Sequence, residues 1–350
     1  ASRPLRSRIM AVKGRLLALT APLDLNAGTI RWPETGRRVL LDFRPGSTDG
    51  PDASTPATVL ERRMNPFPYL LLQAEHDVPV AIAAATERWG QILVVTGGKG
   101  GTGKSVTAVN VASGAAAAGI RTVLVDGDFA TGNISVLSGV RPTVAWRDVL
   151  YGRAPLERAL VSRRQDLWIL ASPVDQEPHT GLSSWELARV AGLLDHLSQR
   201  FELVVVDTAA GVDRSITGLL TVADHAWIVT LHETPALLDA YRLLKAAVLE
   251  GARTHYHLIV NRVEAWREAQ AAGRRFVAVA AQHLRVSVRL AGLVPEDRGL
   301  RAWAAALRPG AIEPGSTSAG RALRAIAARH FHACGLVPDR RAARPPVLVQ

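Results

Sequence analysis

The stretch TGGKGGTGKS, from Thr96 to Ser105, is the part of the chain that predicts its fold. It follows a short apolar run, QILVVT (91–96), and precedes a segment with helical character (105–118). The pattern G-x-x-x-x-G-K-S, which begins at Gly98, is typical of a phosphate-binding loop when it joins a strand to a helix. Glycines let several backbone N–H groups point at a phosphate, and the helix N-terminus favours negative charge. The stretch therefore predicts a nucleotide-binding α/β domain.

Beyond this loop, short β-branched runs alternate with helical segments. The apolar runs do not alternate with polar residues, which indicates strands buried on both faces of a mostly parallel sheet with helices on each side. Strands are predicted at 91–96, 121–126, 167–172, 203–207, 226–230, 257–261 and 288–295. Helices are predicted at 105–118, 185–199, 236–250 and 319–330. The fold class is thus α/β, of the P-loop NTPase kind.

A rival interpretation is a dinucleotide-binding loop, because Gly98, Gly100 and Gly103 also spell G-x-G-x-x-G and acidic residues follow a later strand. Such a loop has no use for a Lys-Ser pair straight after its last glycine. Further on, FELVVVD (201–207) is an apolar strand that ends in Asp207 and is followed by TAAG. This combination is typical of a Walker B strand with a glycine switch, and it favours a nucleoside triphosphate with Mg²⁺.

The loop carries two lysines, and they predict two different roles. Lys104 is placed to neutralise the β- and γ-phosphate oxygens of the nucleotide bound to its own subunit. Ser105 is placed to ligate Mg²⁺. Lys99 lies on the opposite flank of the loop, from which it hardly reaches the same oxygens. We expect it to reach out of its own subunit, in the manner of an arginine finger supplied by a second copy.

KGGTGKS, VLVDGDFATGNISVLSGV and the VNR triplet resemble the MinD/ParA group of ATPases, which carry this deviant Walker A loop, and the resemblance covers about residues 90–334. It implies an ATP-dependent homodimer, an ATP and Mg²⁺ requirement, and catalytic roles for Lys99, Lys104 and Asp128, the last orienting the attacking water. Asp126 and Asp207 would hold Mg²⁺ through water, and Ser105 directly. The other nucleotide contacts that the resemblance implies are Gly98, Gly100, Gly101, Thr102, Gly103, Val106, the switch pivot Gly211, the adenine-reading Asn261, its neighbour Arg262, and Pro295 and Asp297 in the loop that lines the base.

Within that group, the segments DAYRLLK (239–245) and IVNRVEAWREAQ (259–270) are similar to those of FlhG, a flagellar-site ATPase. The resemblance implies a regulator of flagellar placement or number with an FlhF-like GTPase or basal-body proteins as partners. Two alternatives stay open. One is a ParA-like partitioning ATPase that binds DNA through arginines, and the other is a scaffold that binds nucleotide without turnover, against which the retained lysines and aspartates argue.

The composition limits the partners and the covalent cross-links that the chain can have. The 350 residues carry a net charge of +11, which suits a polyanionic partner, and one cysteine, Cys334, which excludes an intramolecular disulfide. We expect a cytoplasmic protein, with peripheral membrane binding as an option. The histidine pairs at 255/257 and 330/332 lack carboxylates or cysteines at a metal-site spacing and are interpreted as structural or exposed.

Three regions are predicted along the chain: an N-terminal extension (1–89) of unknown role, the ATPase domain (90–334) and a flexible tail (335–350). In the extension, residues 5–19 place apolar side chains on one helical face and basic ones away from it. This predicts a basic amphipathic helix that docks on its own domain or touches a membrane. Runs at 29–32 and 38–43 predict a small hairpin, and residues 44–56 a loop.

Overall fold

The computed structural model describes five N-terminal strands and most of the chain from Gly90 onward, namely residues 9–13, 16–20, 38–43, 53–63, 69–74, 90–128, 133–173, 182–252, 254–306 and 316–336. The first five strands are β1 (Ile9–Lys13), β2 (Leu16–Thr20), β3 (Arg38–Phe43), β4 (Ala53–Arg63) and β5 (Tyr69–Ala74). They form an antiparallel sheet in the order β1-β2-β5-β4-β3.

The amphipathic helix predicted over residues 5–19 is wrong, because two antiparallel strands, β1 and β2, occupy most of that span. Strand β2 pairs with β5, in which Leu71 lies opposite Ala18. Pairing with a segment about fifty residues away overrides the local helical periodicity. The predicted strand at 38–43 is confirmed, but its partner is β4, and residues 29–32 lie outside the described part of the chain. The predicted loop at 44–56 overlaps the start of β4.

The second sheet has eight strands and carries the nucleotide-binding motifs. Its strands are β6 (Gln91–Thr96), β7 (Thr122–Gly127), β8 (Leu160–Arg164), β9 (Leu167–Leu170), β10 (Leu203–Thr208), β11 (His225–Thr230), β12 (His255–Val263) and β13 (Val288–Pro295). Their order is β13-β12-β11-β6-β10-β7-β9-β8, and all neighbours are parallel except β8 and β9. The predicted mostly parallel sheet is confirmed.

Ten helices lie between these strands or after β13 within the described residues. They are α1 (Lys104–Ala117), α2 (Ile134–Ser138), α3 (Trp146–Leu150), α4 (Leu156–Ala159), α5 (Ser184–Arg200), α6 (Arg214–Val222), α7 (Thr234–Leu249), α8 (Trp266–Leu284), α9 (Arg298–Ala306) and α10 (Ser318–Ala333). The four predicted helices correspond to α1, α5, α7 and α10. None of the ten is long and apolar enough to cross a membrane.

Both faces of the large sheet are covered, as the continuous apolar runs indicated. In β6, Ile92 and Val94 belong to a core with α5, α6, α7 and α8, whereas Leu93 and Val95 belong to a second core with α1 and α10. Successive strand residues point to opposite faces, so both sets are fully buried. This arrangement brings the carboxyl ends of β6, β7 and β10 to one edge, where ligands of open α/β sheets bind.

Candidate nucleotide-binding and catalytic site

The phosphate loop joins β6 to α1, and its shape depends on two crowded glycines. Gly103, just before the first residue of α1, has φ of +95°, and a Cβ there would lie 2.3 Å from Nδ2 of Asn261. A Cβ on Gly98 would lie 2.1 Å from the carbonyl oxygen of Asp239 on α7. Only glycine fits these approaches, so the loop is clamped between α7 and β12.

The outer flank of the loop is open. A Cβ on Gly100 or Gly101 would meet no atom within 4 Å, and Lys99 beside them is exposed. The two loop lysines therefore differ in environment, since Lys104 is only 8% exposed. The exposed position of Lys99 suits a contact outside its own subunit, and that contact stays a prediction.

Lys104 lies inside the loop. Its Nζ donates a hydrogen bond to the carbonyl oxygen of Lys99 at 3.3 Å. Burial lowers its pKa, while the carboxylates of Asp207 and Asp128 act in the opposite direction. The ammonium group is thus held between the loop backbone and the acidic strand ends, where it faces any phosphate that the loop N–H groups bind.

Two buried carboxylates stand side by side at the edge of the sheet. Asp126 ends the apolar part of β7 and is directly paired in register with Asp207 of β10, and each is 1% exposed. Burial, Asp207 and Asp128 together raise the pKa of Asp126 well above its usual range. Burial raises the pKa of Asp207 to about 7, although the Ser105 hydroxyl and Lys104 favour its charged form. A Cβ on Gly127 would lie 2.5 Å from the Asp207 carbonyl oxygen, which explains how the strands come so close.

These groups fit a magnesium ion. Oδ1 of Asp207 is buried and has no hydrogen-bond partner among the described residues, so an acceptor is left for a metal-bound water. The Ser105 hydroxyl bonds to the same carboxylate. Hard oxygen donors such as these, with waters and phosphate oxygens, are what Mg²⁺ prefers. Ser105, Asp126 and Asp207, predicted as the metal set, therefore lie together.

Asp128 follows β7 and is half-buried at the mouth of the site. Its backbone N–H donates to Oδ1 of Asp126 at 3.2 Å. Its charge acts on Lys104, Asp126 and Asp207, which places its carboxylate in the same electrostatic environment. The position is compatible with the predicted contact to an attacking water, a role that stays a prediction.

The switch segment after β10 contacts the phosphate loop directly. Gly211 has φ of +119°, and its backbone N–H donates to the carbonyl oxygen of Gly97 at 3.3 Å. That φ strains any other residue, so the glycine of DTAAG is required for backbone reasons. This hydrogen bond links the phosphate loop after β6 to the switch segment after β10.

The residues predicted to line the base have well-defined structural contacts. Nδ2 of Asn261 donates to the carbonyl oxygen of Thr102 at 2.8 Å, so this amide supports the phosphate loop. Arg262 has φ of +58°, and its Nε donates to Glu296 at 2.9 Å. Asp297 accepts from the Leu300 and Ala319 N–H groups and the Ser318 hydroxyl. Contact of these residues and Pro295 with adenine stays a prediction.

Sequence reasoning missed Glu296, which lies between the predicted Pro295 and Asp297. Glu296 also accepts from Arg301 at 3.1 Å, so it joins the end of β13 to α9 and to Arg262. Burial alone raises the pKa of Asp297, but the bonds from Ala319, Leu300 and Ser318 outweigh it and lower that pKa well below its usual range. The acidic pair directly after the proline that ends β13 was the sequence feature from which these contacts could have been predicted.

The chain is similar to a known domain family and to several known proteins. The family described as the CobQ/CobB/MinD/ParA nucleotide binding domain matches residues 93–309. The antiactivator FleN of Pseudomonas aeruginosa is 29% identical over 211 residues, which cover 60% of this chain and 75% of FleN. The septum site-determining protein MinD of Bacillus subtilis is 31% identical over 178 residues, covering 50% of this chain and 65% of that protein.

Among solved structures, MinD of Pyrococcus horikoshii complexed with Mg-ADP superposes with a TM-score of 0.56 at 22% identity, over 71% of this chain and 99% of that one. At this identity the likeness concerns the fold. The family match spans more than half of the chain and includes the phosphate loop, β7 and β10. The chain therefore belongs to the CobQ/CobB/MinD/ParA nucleotide-binding domain family.

Proposed function

We propose that this protein binds ATP with Mg²⁺, hydrolyses it to ADP and phosphate, and pairs with a second copy of itself in the ATP-bound state. The main support for this proposal is that the two loop lysines differ in burial. Lys104 is buried beside Asp207, and Lys99 is exposed on the outer flank of the loop. The Lys104 charge is available to the phosphates of the nucleotide in its own subunit, and the Lys99 charge to those of the nucleotide in a neighbouring subunit.

The chain's own groups supply most of the chemistry. The loop N–H groups and Lys104 hold the phosphates, and Ser105, Asp126 and Asp207 hold Mg²⁺ directly or through water. Bound Mg²⁺ would neutralise charge on the phosphate oxygens. Asp128 orients the attacking water and accepts its proton. MinD of Pyrococcus horikoshii, which shares the fold, was solved with Mg-ADP, which supports this choice of nucleotide and metal.

Self-association in the ATP state is supported by apolar side chains beside the loop and the switch. Val212, next to Gly211, is 42% exposed, and Leu238 is 47% exposed on α7, next to the Asp239 carbonyl that Gly98 touches. Exposed apolar residues adjacent to a nucleotide-sensing element suit a contact surface that the nucleotide controls.

The test combines turnover with a mass measurement. Lys99→Ala should leave ATP binding within a few-fold and abolish ATP-dependent dimerisation, and it should reduce turnover by about 10³-fold or more, the usual range for a trans-acting finger. Arg324→Gln, which removes an exposed charge on α10, is the control and should change none of these three quantities. Unchanged dimerisation and turnover in Lys99→Ala would contradict the proposal.

For the cellular role, we propose control of flagellar placement or number through an FlhF-like GTPase or basal-body proteins. The similarity to FleN and the α7 segment 239–245 support this role. Binding of a purified FlhF-like GTPase that requires ATP and is lost in Leu238→Asp is the expected result. Nucleotide-independent binding would argue against it.

A ParA-like role in DNA partitioning is a second candidate, favoured by the arginines of α8. Arg267, Arg274 and Arg275 are exposed on this helix, and Arg285 at its C-terminus is also exposed. Their charge suits non-specific contact with phosphates. ATP-dependent DNA binding that weakens steeply with salt and is lost on substitution of these arginines would select this candidate.

A further inference from the structure

A cluster of metal-ligating side chains lies at the edge of the large sheet opposite the phosphate loop. His225 begins β11, His257 lies near the start of β12, and His330 and Cys334 come from the last turn and C-terminus of α10. They line a cavity of about 720 Å³. The six residues of β11 separate this edge from the nucleotide edge by about 20 Å, so the two sites are distinct.

The donor atoms stand at distances close to those of a metal coordination shell. Potential ligand nitrogens of His225, His257 and His330 all lie within 4.8 Å of one another. Nε2 of His257 is 3.4 Å from Nδ1 of His225, and Sγ of Cys334 is 3.7 Å from Nε2 of His330. A tetrahedral ion with bonds of about 2.0–2.3 Å sets its donors about 3.3–3.8 Å apart. The three imidazole nitrogens need only small side-chain rotations to converge. Because Sγ of Cys334 lies beside Nε2 of His225 whereas His257 lies beside Nδ1, the thiol joins them only after a further rotation of its own side chain or of the His225 ring.

The imidazoles are held in place and are largely removed from water. His257 and His330 are 8% and 7% exposed, and the ring of His330 stands edge-on to both His225 and His257, with centroids 4.6 and 4.8 Å apart. Neutral imidazole nitrogens are the commonest metal ligands in proteins.

The surroundings also position the cysteine. Nε2 of Gln91, the first residue of β6, donates to the carbonyl oxygen of Cys334 at 3.1 Å. Sγ of Cys334 is 3.3 Å from Nε2 of His225. Arg289, an exposed residue on the cavity wall, opposes a cation, whereas Asp224 beside His225 favours one. A bound thiolate would offset the charge of Arg289.

We propose that His225, His257, His330 and Cys334 form a site for a d-block metal ion, Zn²⁺ in the first instance, with three imidazole nitrogens and one thiolate as ligands. Zn²⁺ accepts this mixed nitrogen and sulfur set in tetrahedral geometry, and hard cations such as Mg²⁺ do not favour it. On binding, the Cys334 thiol loses its proton to solvent as the sulfur–metal bond forms.

The ion would tie α10 to the amino ends of β11 and β12. Helix α10 packs with α1, the helix that follows the phosphate loop, in one core that includes Val109 and Leu323. Because the four ligands come from separate elements, a metal that binds only the folded chain raises the stability of the whole domain. The proposal is independent of ATP hydrolysis, since none of the four ligands belongs to the nucleotide site.

The test uses untagged, metal-stripped full-length protein without nucleotide. Zn²⁺ should bind with one equivalent per chain and raise Tm by several degrees. Co²⁺ should give the intense visible bands of a tetrahedral ion together with a thiolate-to-metal charge-transfer band in the near ultraviolet. Co²⁺ in an all-oxygen magnesium site gives neither signal, so the spectrum identifies the site.

Cys334→Ser should remove the charge-transfer band, and His257→Gln should weaken Zn²⁺ binding at least tenfold. His332→Gln, on the exposed side of α10, is the matched control and should behave as the unmodified protein. Circular dichroism and nucleotide affinity of each variant establish that it is folded. Substoichiometric Zn²⁺ binding by the unmodified protein, or a charge-transfer band that survives in Cys334→Ser, would overturn the proposal.

Discussion

Asp207 on β10 lies directly beside Asp126 on β7, and both carboxylates are almost fully buried. Two acidic groups this close, with Asp128 at the mouth, resist simultaneous ionisation unless a cation joins them. The carboxylates at this edge of the sheet therefore destabilise the folded chain when both are ionised and no cation is bound.

We predict that Asp207→Asn stabilises the metal-free protein at pH 8 and does so less at pH 5. The Asp207 pKa is raised to about 7, so the folded chain keeps the proton while the unfolded chain loses it above about pH 4. The stability associated with this group is therefore present at low pH and is lost as the pH rises towards 7. The full gain is at most about 4 kcal/mol. Urea unfolding at pH 5, 6, 7 and 8 measures it, with Glu268→Gln on the exposed face of α8 as control.

Gly103→Ala should destabilise the domain by about 1–3 kcal/mol and abolish nucleotide binding, because the new Cβ meets the Asn261 amide at a strained φ. Gly100→Ala is the matched control, since a Cβ there meets nothing within 4 Å. It should leave Tm within a degree or two. Thermal unfolding and titration with a fluorescent ATP analogue measure both effects. Equal behaviour of the two variants would show that the close approach of Asn261 to the loop does not matter.

Asp128→Asn should reduce the rate of ATP hydrolysis by about 10²–10⁴-fold while nucleotide affinity stays within a few-fold, because general-base assistance is lost but the phosphate contacts remain. If ATP pairs two copies, the variant should accumulate as an ATP-bound dimer. Single-turnover hydrolysis and light scattering measure these outcomes. Turnover at the unmodified rate would mean that another group orients the water.

Gly211→Ala should keep the fold, because a Cβ there contacts nothing, but it should strain the backbone at φ of +119° and disturb the N–H bond to Gly97. We expect turnover to fall more than ADP affinity does. Gly251→Ala, another glycine at positive φ but far from the switch in the chain, controls for the strain itself. If Gly211→Ala lowered stability without any change in turnover, the proposed role of this segment as a switch would be wrong.

Local sequence determined the nucleotide half of this protein. Its predicted features are short contiguous patterns, each set by a single strand or helix turn. They are the phosphate loop, the acidic strand end at Asp207 and the apolar runs. Strand β6 was predicted with the observed bounds, and α1 within one residue. The α8 helix, by contrast, was missed although its segment was noticed, since its resemblance to a family segment said nothing of its conformation.

Only the tertiary structure decided the pairings between distant segments. It replaced the expected helix near the N-terminus with strands, because β2 satisfies its backbone groups against β5 rather than within itself. It also brought His225, His257, His330 and Cys334 together across more than a hundred residues of chain, where no spacing rule applies. Parallel strands align their ends regardless of the length of the connections between them, so such a cluster is a product of topology and not of motif.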